Sequence, residues 1–351
     1  MGGVSDAPIE RFSELPGLIA RELDHYQHVV VVLLDAFGWT FVQRHAQHPL
    51  LRRIARDGSL APIRSQFPST TTAHVTTMHT GLPVEDHGLY EWRVYEPSLD
   101  AVTIPLLVKP GAPYARSLLP EGPSFYQRLA VRHGARSVVY SPDRFSPSGF
   151  DAIALRGAEL VPYSSLQSLE LQPAEDKTYT YIYYDLIDTT GHIHGPSSPE
   201  FDDTCLRALD AIYTTFFSPT SPPFPSTLLL LTADHGQIDV SPDRVTYLSL
   251  PGVHPAGSSR DLFLDLPESE IPSLNEQLGT AATAVPTTTL FPAPGPRLSA
   301  RLPPICILPS PGHQVWLKGH EDVEQHFLGH HGGLTPEEST TFLGTLALDQ
   351  T

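Results

Sequence analysis

Cysteine, lysine and long apolar runs are nearly missing from this chain, and each shortage closes off a class of protein. Only two of the 351 residues are cysteines, Cys205 and Cys306. Neither sits in a motif, so both are read as buried free thiols of a reducing cytosol rather than as parts of a disulfide framework. Lysine occurs only at Lys109, Lys177 and Lys318, and 39 acidic residues outweigh 22 basic ones, for a net charge of −17. So acidic a surface repels nucleic-acid backbones and anionic membranes, and neither is expected as a partner. No apolar run approaches the ~20 residues that a membrane-spanning helix needs. The stretch from Met1 to Asp6 lacks a basic segment followed by an apolar one, and Asp6 stands where a myristoylation signal has serine or threonine. The expected compartment is therefore the cytoplasm. No internal repeat is present.

Proline is plentiful, at 36 residues, and implies many rigid loops. Between the loops, strand-like runs alternate with helical periodicities. His28–Leu34 is a nearly unbroken apolar, β-branched run ending at Asp35, the pattern of a strand buried on both faces. Residues 137–140, 178–186 and 227–231 are read as further strands. Helices are expected over 41–56 with a break or kink at Pro49, over 71–79 closed by Gly81, over 124–133 closed by Gly134, and over Pro199–Phe217, where Leu206, Leu209, Ile212 and Phe216 recur at helical spacing. This alternation predicts an α/β fold, with a mainly parallel central sheet and helices on both faces. From 238 to 324 the texture changes. Pro and Thr are frequent there, and the strand candidates, 261–266 and Gln314–Leu317, are short. That stretch is expected to be a small inserted cap on a core formed by residues 1–237 and 325–351. Thr335-Pro336-Glu337-Glu338 carries the residues of a helix N-cap and capping box, and 218–225 is read as a Pro/Ser loop.

Two segments carry metal-ligand chemistry. Asp185-Leu-Ile-Asp188-Thr-Thr-Gly191-His192 follows one strand-like run, and Asp234-His235-Gly236 follows another. Carboxylate plus imidazole, twice, is what a pair of divalent cations needs, and this donor mix suits zinc, or manganese, better than magnesium or calcium. Two cations held close together can clamp the entering and leaving oxygens of a phosphoryl transfer. Asp35 taken alone reads equally well as a helix N-cap. With Asp188 and Asp234 at equivalent strand ends, where open α/β sheets bind ligands, it is read as a ligand too. Asp185 is a runner-up, and His194 is read as supporting or solvent-facing. Thr70, Thr71 and Thr72 open a helix and set hydroxyls beside free backbone N–H groups. Such a place suits an anion and an activated nucleophile, although by itself the run reads as a plain cap.

Taken in order, these segments resemble the nucleotide pyrophosphatase/phosphodiesterase branch of the alkaline-phosphatase superfamily. Residues 67–81 are similar to its nucleophile segment through Phe67, Pro68 and the closing Thr80-Gly81. Residues 188–196 match its Asp-x-x-Gly-His-x-x-Gly-Pro, Asp234-His235-Gly236 its Asp-His-Gly, and 329–332 its late Gly-x-His-Gly. The resemblance implies that Thr71 is the nucleophile. It also implies that Asp35, Thr71, Asp234 and His235 hold one zinc and that Asp188, His192 and His331 hold the other, with His331 preferred to its neighbour His330. Thr70, Thr72, Ala73 and His74 depart from the family's Lys, Phe, Pro and Asn. The oxyanion donor is therefore assigned to the Thr72 backbone or to His74, and the family's nucleotide preference is not carried over. The implied activity is a two-metal phosphodiesterase or pyrophosphatase, acting on a small phosphate ester through a phosphothreonine. A phosphomonoesterase, phosphonate hydrolase or phosphosugar mutase would share the metal core. A non-catalytic metal-binding protein is the alternative of another class, and the full ligand set argues against it. The only basic residues within reach of the nucleophile are Arg64, and Arg93 if its loop folds back, so a diester is expected over a monoester.

Overall fold

The computed structural model describes residues 9–145, 147–169, 171, 176–218 and 224–348. The first eight residues and most of the 218–225 segment lie outside the described residues. At the centre is a seven-stranded sheet. Its strands are β1 (His28–Leu34), β2 (Ser59–Arg64), β3 (Arg136–Pro142), β4 (Ala158–Tyr163), β5 (Thr178–Tyr184), β6 (Thr227–Thr232) and β7 (Thr340–Leu348), in the order β2-β7-β6-β1-β5-β3-β4. Strands β6, β1, β5, β3 and β4 run parallel, and β7 lies antiparallel between β6 and β2.

Every residue of β1 is buried, because helices cover both faces of the sheet. Val29, Val31 and Leu33 pack with Leu15, Leu18 and Ile19 of α1 (Leu15–Glu22), and with Phe125, Tyr126 and Leu129 of α5 (Phe125–His133). Met78 of α4 (Thr71–Thr80) joins the same face. Val30, Val32 and Leu34 face the other way. They meet α2 (Trp39–Arg44), α3 (Pro49–Asp57), α6 (Leu186–His194) and α7 (Pro199–Phe217) through Phe41, Ile54, Ile187 and Leu209. Each such side chain contributes about 1.5–3 kcal/mol on burial, so the strand that ends in Asp35 is firmly anchored on both faces. Pro49 does break the expected long helix. It opens α3 as a first-turn proline, and the His48 side chain caps that helix by accepting from Leu50 N–H at 3.2 Å.

The segment 245–317 contributes no strand to the large sheet among the described residues. It forms a four-stranded antiparallel sheet, Ala256–Ser258, Asp261–Leu264, Ile305–Pro309 and Ala282–Pro286, and Val245–Leu248 pairs with Gln314–Leu317. Apolar residues from 84–119 pack into this layer, as Tyr90 does on Phe263 with ring centroids 4.8 Å apart. The capping box expected at Thr335 is not made. Helix Pro336–Ser339 is one turn long and lacks a side-chain cap. Glu338 instead takes both arms of buried Arg260, at 3.0 and 2.9 Å, and the Gly333 N–H at 3.0 Å. That pair fixes the segment just after His331. Cys205 and Cys306 are buried and free, and no helix of the described residues is long and apolar enough to cross a membrane.

Candidate active site

Three adjacent strands, β6, β1 and β5, deliver Asp234, Asp35 and the start of α6 to one place above the sheet. The loops leaving β1 and β6 pack backbone to backbone. A Cβ on Gly38 would lie 2.7 Å from the Gly236 Cα, so only glycine fits there. Helix α4 opens at the same place, after an extended Thr70, and closes on Gly81 in the left-handed conformation. The Thr71 hydroxyl oxygen lies 3.3 Å from Asp35 Oδ2 and 3.4 Å from His235 Nε2. His235 Nε2 in turn lies 3.5 Å from Asp35 and 3.4 Å from Asp234 Oδ2. Beside this group, Asp188 and His192 meet at 3.2 Å across one turn of α6, and His331 Nε2 lies 3.5 Å from Asp188 Oδ1. The His235 and His331 rings stack with centroids 3.8 Å apart, so the two groups are neighbours.

All three imidazoles are held the same way. His235 Nδ1 lies 3.1 Å from Gly236 O, His192 Nδ1 2.7 Å from Gly329 O, and His331 Nδ1 2.9 Å from Ser69 O. A ring nitrogen facing a carbonyl must donate, which leaves the Nε2 of a neutral ring as a bare lone pair, as at His235 and His331; at His192 burial is outweighed by Asp188, which raises the pKa. Each lone pair faces a carboxylate oxygen, and that contact is repulsive unless a cation or proton lies between them. Asp234 Oδ2 is buried with no hydrogen-bond partner. Tyr183 supports Asp35 Oδ2 at 2.5 Å, and Gln237 Nε2 supports Asp188 Oδ1 at 2.6 Å. Burial, then the charges of Asp234 and Asp188, hold the Asp35 carboxyl well above the usual range. Burial likewise raises Asp234 to about 7 and holds His235 and His331 well below the usual imidazole range. Three crowded carboxylates and three oriented imidazoles fit two divalent cations of the zinc or manganese type.

Other candidates divide clearly. Thr72 is buried, and its N–H, second in α4, has no acceptor within the helix and is the donor that can meet an anion. His74 is not such a donor, because both its nitrogens are in use. Nδ1 lies 2.7 Å from Thr70 O, and Nε2 accepts from Gln66 N–H at 2.9 Å. Burial drives its pKa down to about 4. His330 turns away to Ser259 and Phe327, His79 is buried against Tyr126, and His194 is exposed. Asp185 belongs to neither group and pairs with Arg144. Arg64 is exposed, and Arg93 is held between Asp322 and Glu324. Tyr183, Gln237 and Arg144 were not anticipated. A signal existed for two of them, since Gln237 directly follows Asp-His-Gly and Tyr183 lies on an alternating aromatic strand.

Behind His331 the backbone of Gly332 has φ 119°, and a Cβ there would lie 2.7 Å from Asp261 Oδ1. Asp261 is hydrogen-bonded to buried Glu91, and burial, then Glu324, raises Glu91 to about 7. The native state therefore holds this proton more tightly than the unfolded chain. Its stabilising effect is complete below the unfolded glutamate value, near pH 4.5, and is lost as pH rises through about 7. The melting temperature of Glu91→Gln should fall less steeply between pH 5 and about 7.5 than that of the native protein; parallel curves would contradict the raised Glu91 pKa.

A mostly parallel sheet with paired Asp/His groups over its carboxyl edge is the alkaline-phosphatase-like architecture, and solved structures share its shape. Murine ectonucleotide pyrophosphatase/phosphodiesterase 5 superposes with a TM-score of 0.67 at 20% identity, over 91% of this chain and 87% of that one. The human protein gives 0.66 at 17% identity with the same coverage. A second murine structure, with a TM-score of 0.67 at 19% identity, is described as an inactive threonine-to-alanine form in complex with AMP. The model of the type I phosphodiesterase/nucleotide pyrophosphatase family matches residues 29–110 and 123–251, and the chain belongs to that family. Venom phosphodiesterases 2 and 1 of Crotalus adamanteus are each 25% identical over 237 residues, which is 63% of this chain. The match spans only 28% and 27% of those venom proteins.

Proposed function

We propose that this protein hydrolyses phosphoric diesters or phosphoanhydrides with Thr71 as nucleophile and a divalent cation, zinc or manganese, in each Asp/His group. One observation carries the reading. The Thr71 hydroxyl stands at the open N-terminus of α4, 3.3 Å from Asp35 and 3.4 Å from His235, in the group where Asp234 Oδ2 is buried without a hydrogen-bond partner. The inactive threonine-to-alanine murine relative, in complex with AMP, supports it.

The cations would lower the pKa of the hydroxyl and offset charge on the phosphoryl group. The protein supplies the rest. Asp35, steadied by Tyr183, holds the Thr71 oxygen in place. The N–H of Thr72 and the positive end of α4 receive a phosphoryl oxygen. The Thr71 oxygen attacks phosphorus in line, the ester or anhydride oxygen on the far side departs with the bonding electrons, and a phosphothreonine remains. Water attacking the same phosphorus then releases Thr71.

The site favours a monoanionic diester. Among the described residues, no free cation stands beside Thr71, since Arg64 is exposed on Glu10 and Arg93 is held by two carboxylates. A dianionic monoester would lack at least one charge-assisted hydrogen bond, about 1.5–3 kcal/mol or roughly tenfold or more in rate. kcat/KM for bis-p-nitrophenyl phosphate should exceed that for p-nitrophenyl phosphate by about that factor. A faster monoester under matched metal and pH would make the protein a phosphatase.

A further inference from the structure

We infer that Gln237 is a positioning residue of the second cation group: its side-chain amide sets the Asp188 carboxylate and, through it, the affinity of that group for its cation. This rests on the two-cation reading above and concerns one further residue of the same site.

Strand register brings Gln237 there. It follows Asp234-His235-Gly236, and the short antiparallel pair of Ile238–Asp239 with Gly329–His330 aligns Ile238 with His330 and Asp239 with Gly329. In an antiparallel ladder, one step back from Ile238 is one step on from His330. Gln237 therefore comes level with His331. The segment that supplies His235 to the first group hands its next side chain but one to the second.

The side chain lies in a slot that two glycines leave open, and Gln237 is 2% exposed. A Cβ on Gly191 would overlap Gln237 Oε1, and one on Gly329 would lie 2.7 Å from the same atom. Both walls of the slot also serve His192. Gly191 precedes it in α6, and the Gly329 carbonyl accepts from its ring at 2.7 Å.

The amide has one workable orientation. Nε2 donates to Asp188 Oδ1 at 2.6 Å and to the Asp188 carbonyl oxygen at 3.2 Å. Turned over, the amide would set its oxygen against both acceptors and repel them. In the orientation found, Oε1 is buried without a hydrogen-bond partner among the described residues. Burying an unpartnered oxygen is unfavourable, and leucine or methionine would fill the slot without it. What the amide adds is the double donor to Asp188.

That donor decides how the carboxylate stands. Oδ1, fixed by Gln237, faces His331 Nε2 at 3.5 Å, and Oδ2 faces His192 Nε2 at 3.2 Å. Each oxygen meets one imidazole, and ligand atoms of Asp188, His192 and His331 lie within 4.8 Å of one another. A lysine or arginine could also hold Oδ1, but its charge would offset the carboxylate that a cation needs. An amide orients without neutralising.

The test titrates zinc calorimetrically into chelator-stripped native, Gln237→Leu, Asp188→Asn and doubly substituted proteins, each checked by circular dichroism. Native protein should take up two ions. Gln237→Leu should weaken one of them about 10–100-fold and leave the other within about threefold. Beside Asp188→Asn, adding Gln237→Leu should change zinc binding by less than about threefold, because the carboxylate through which the amide acts is gone. Turnover of bis-p-nitrophenyl phosphate by Gln237→Leu should fall at trace zinc and return toward the native kcat as zinc is raised, with KM unmoved. Gln237→Met, a more pliable filler of the slot, carries the same comparison if Gln237→Leu does not fold. Equal weakening of both ions, a Gln237→Leu effect that persists in full beside Asp188→Asn, or failure of both fillers to fold marks a packing role and overturns the assignment. Uptake of fewer than two ions by native protein overturns it together with the two-cation reading. Two ions bound without turnover of any phosphoric ester would sink the hydrolase reading alone, and the zinc titrations would then decide Gln237 by the same criteria.

Discussion

Replacing Thr71 with alanine should remove turnover by at least ~10⁴-fold on every phosphoric ester the native protein accepts, with the fold intact. The reason is local. Thr71 is the only member of the threonine run whose hydroxyl reaches the carboxylate and imidazole of the first group. Thr70 donates instead to Tyr90 O at 3.1 Å, and Thr72 is buried. Thr70→Ala therefore loses one buried hydrogen bond, about 1 kcal/mol of stability, and should keep most of its activity. Circular dichroism and steady-state rates on the two variants separate the roles. Near-native rates for Thr71→Ala would place the nucleophile elsewhere.

Stripping divalent cations should have the next largest effect, loss of essentially all turnover together with a lower melting temperature. Without cations, the Nε2 lone pairs of His235 and His331 face carboxylates, and the Asp234 Oδ2 oxygen has no hydrogen-bond partner. Cations present at ~1,000 times their dissociation constant would restore about 4 kcal/mol per site by mass action. Elemental analysis of protein purified without chelator should give about two ions per chain, and added zinc or manganese should restore activity to dialysed protein. Full activity in protein shown to be metal-free would end the two-cation reading.

What could be read from the sequence was whatever sits close together along it. The β1 run and its terminal Asp35, the helix Pro199–Phe217 and the Asp-His pairs are short-range patterns, and all are found as elements or neighbours in the structure. Long-range pairings were not legible. Strand β2 shows mostly exposed residues around Pro62, so it has no strand-like alternation, and its place in the sheet comes from pairing with β7, far along the chain. Glu338 looked like a capping residue because its true partner, Arg260, lies in the smaller layer. His74 was given the duty of the asparagine whose slot it fills, but the imidazole turns its donor onto Thr70 O one turn back. Arg144 meets Asp185 only because β3 and β5 are neighbours, and nothing within a short window marks that pairing.

The strand 340–348 follows every other strand of the large sheet in the chain, yet it is an inner one. β7 fills the gap between β2 and β6, so while the ribosome is still extending the chain the sheet has a slot one strand wide, flanked by open edges. His331 likewise follows every other residue of the two Asp/His groups in the chain. The nucleophile and the first cation group can assemble on a nascent chain, but the second group must wait for His331 and sheet closure for residues 340–348. Edges left open this long invite pairing with other chains. The longer residues 340–348 take to dock, the longer those edges stay open.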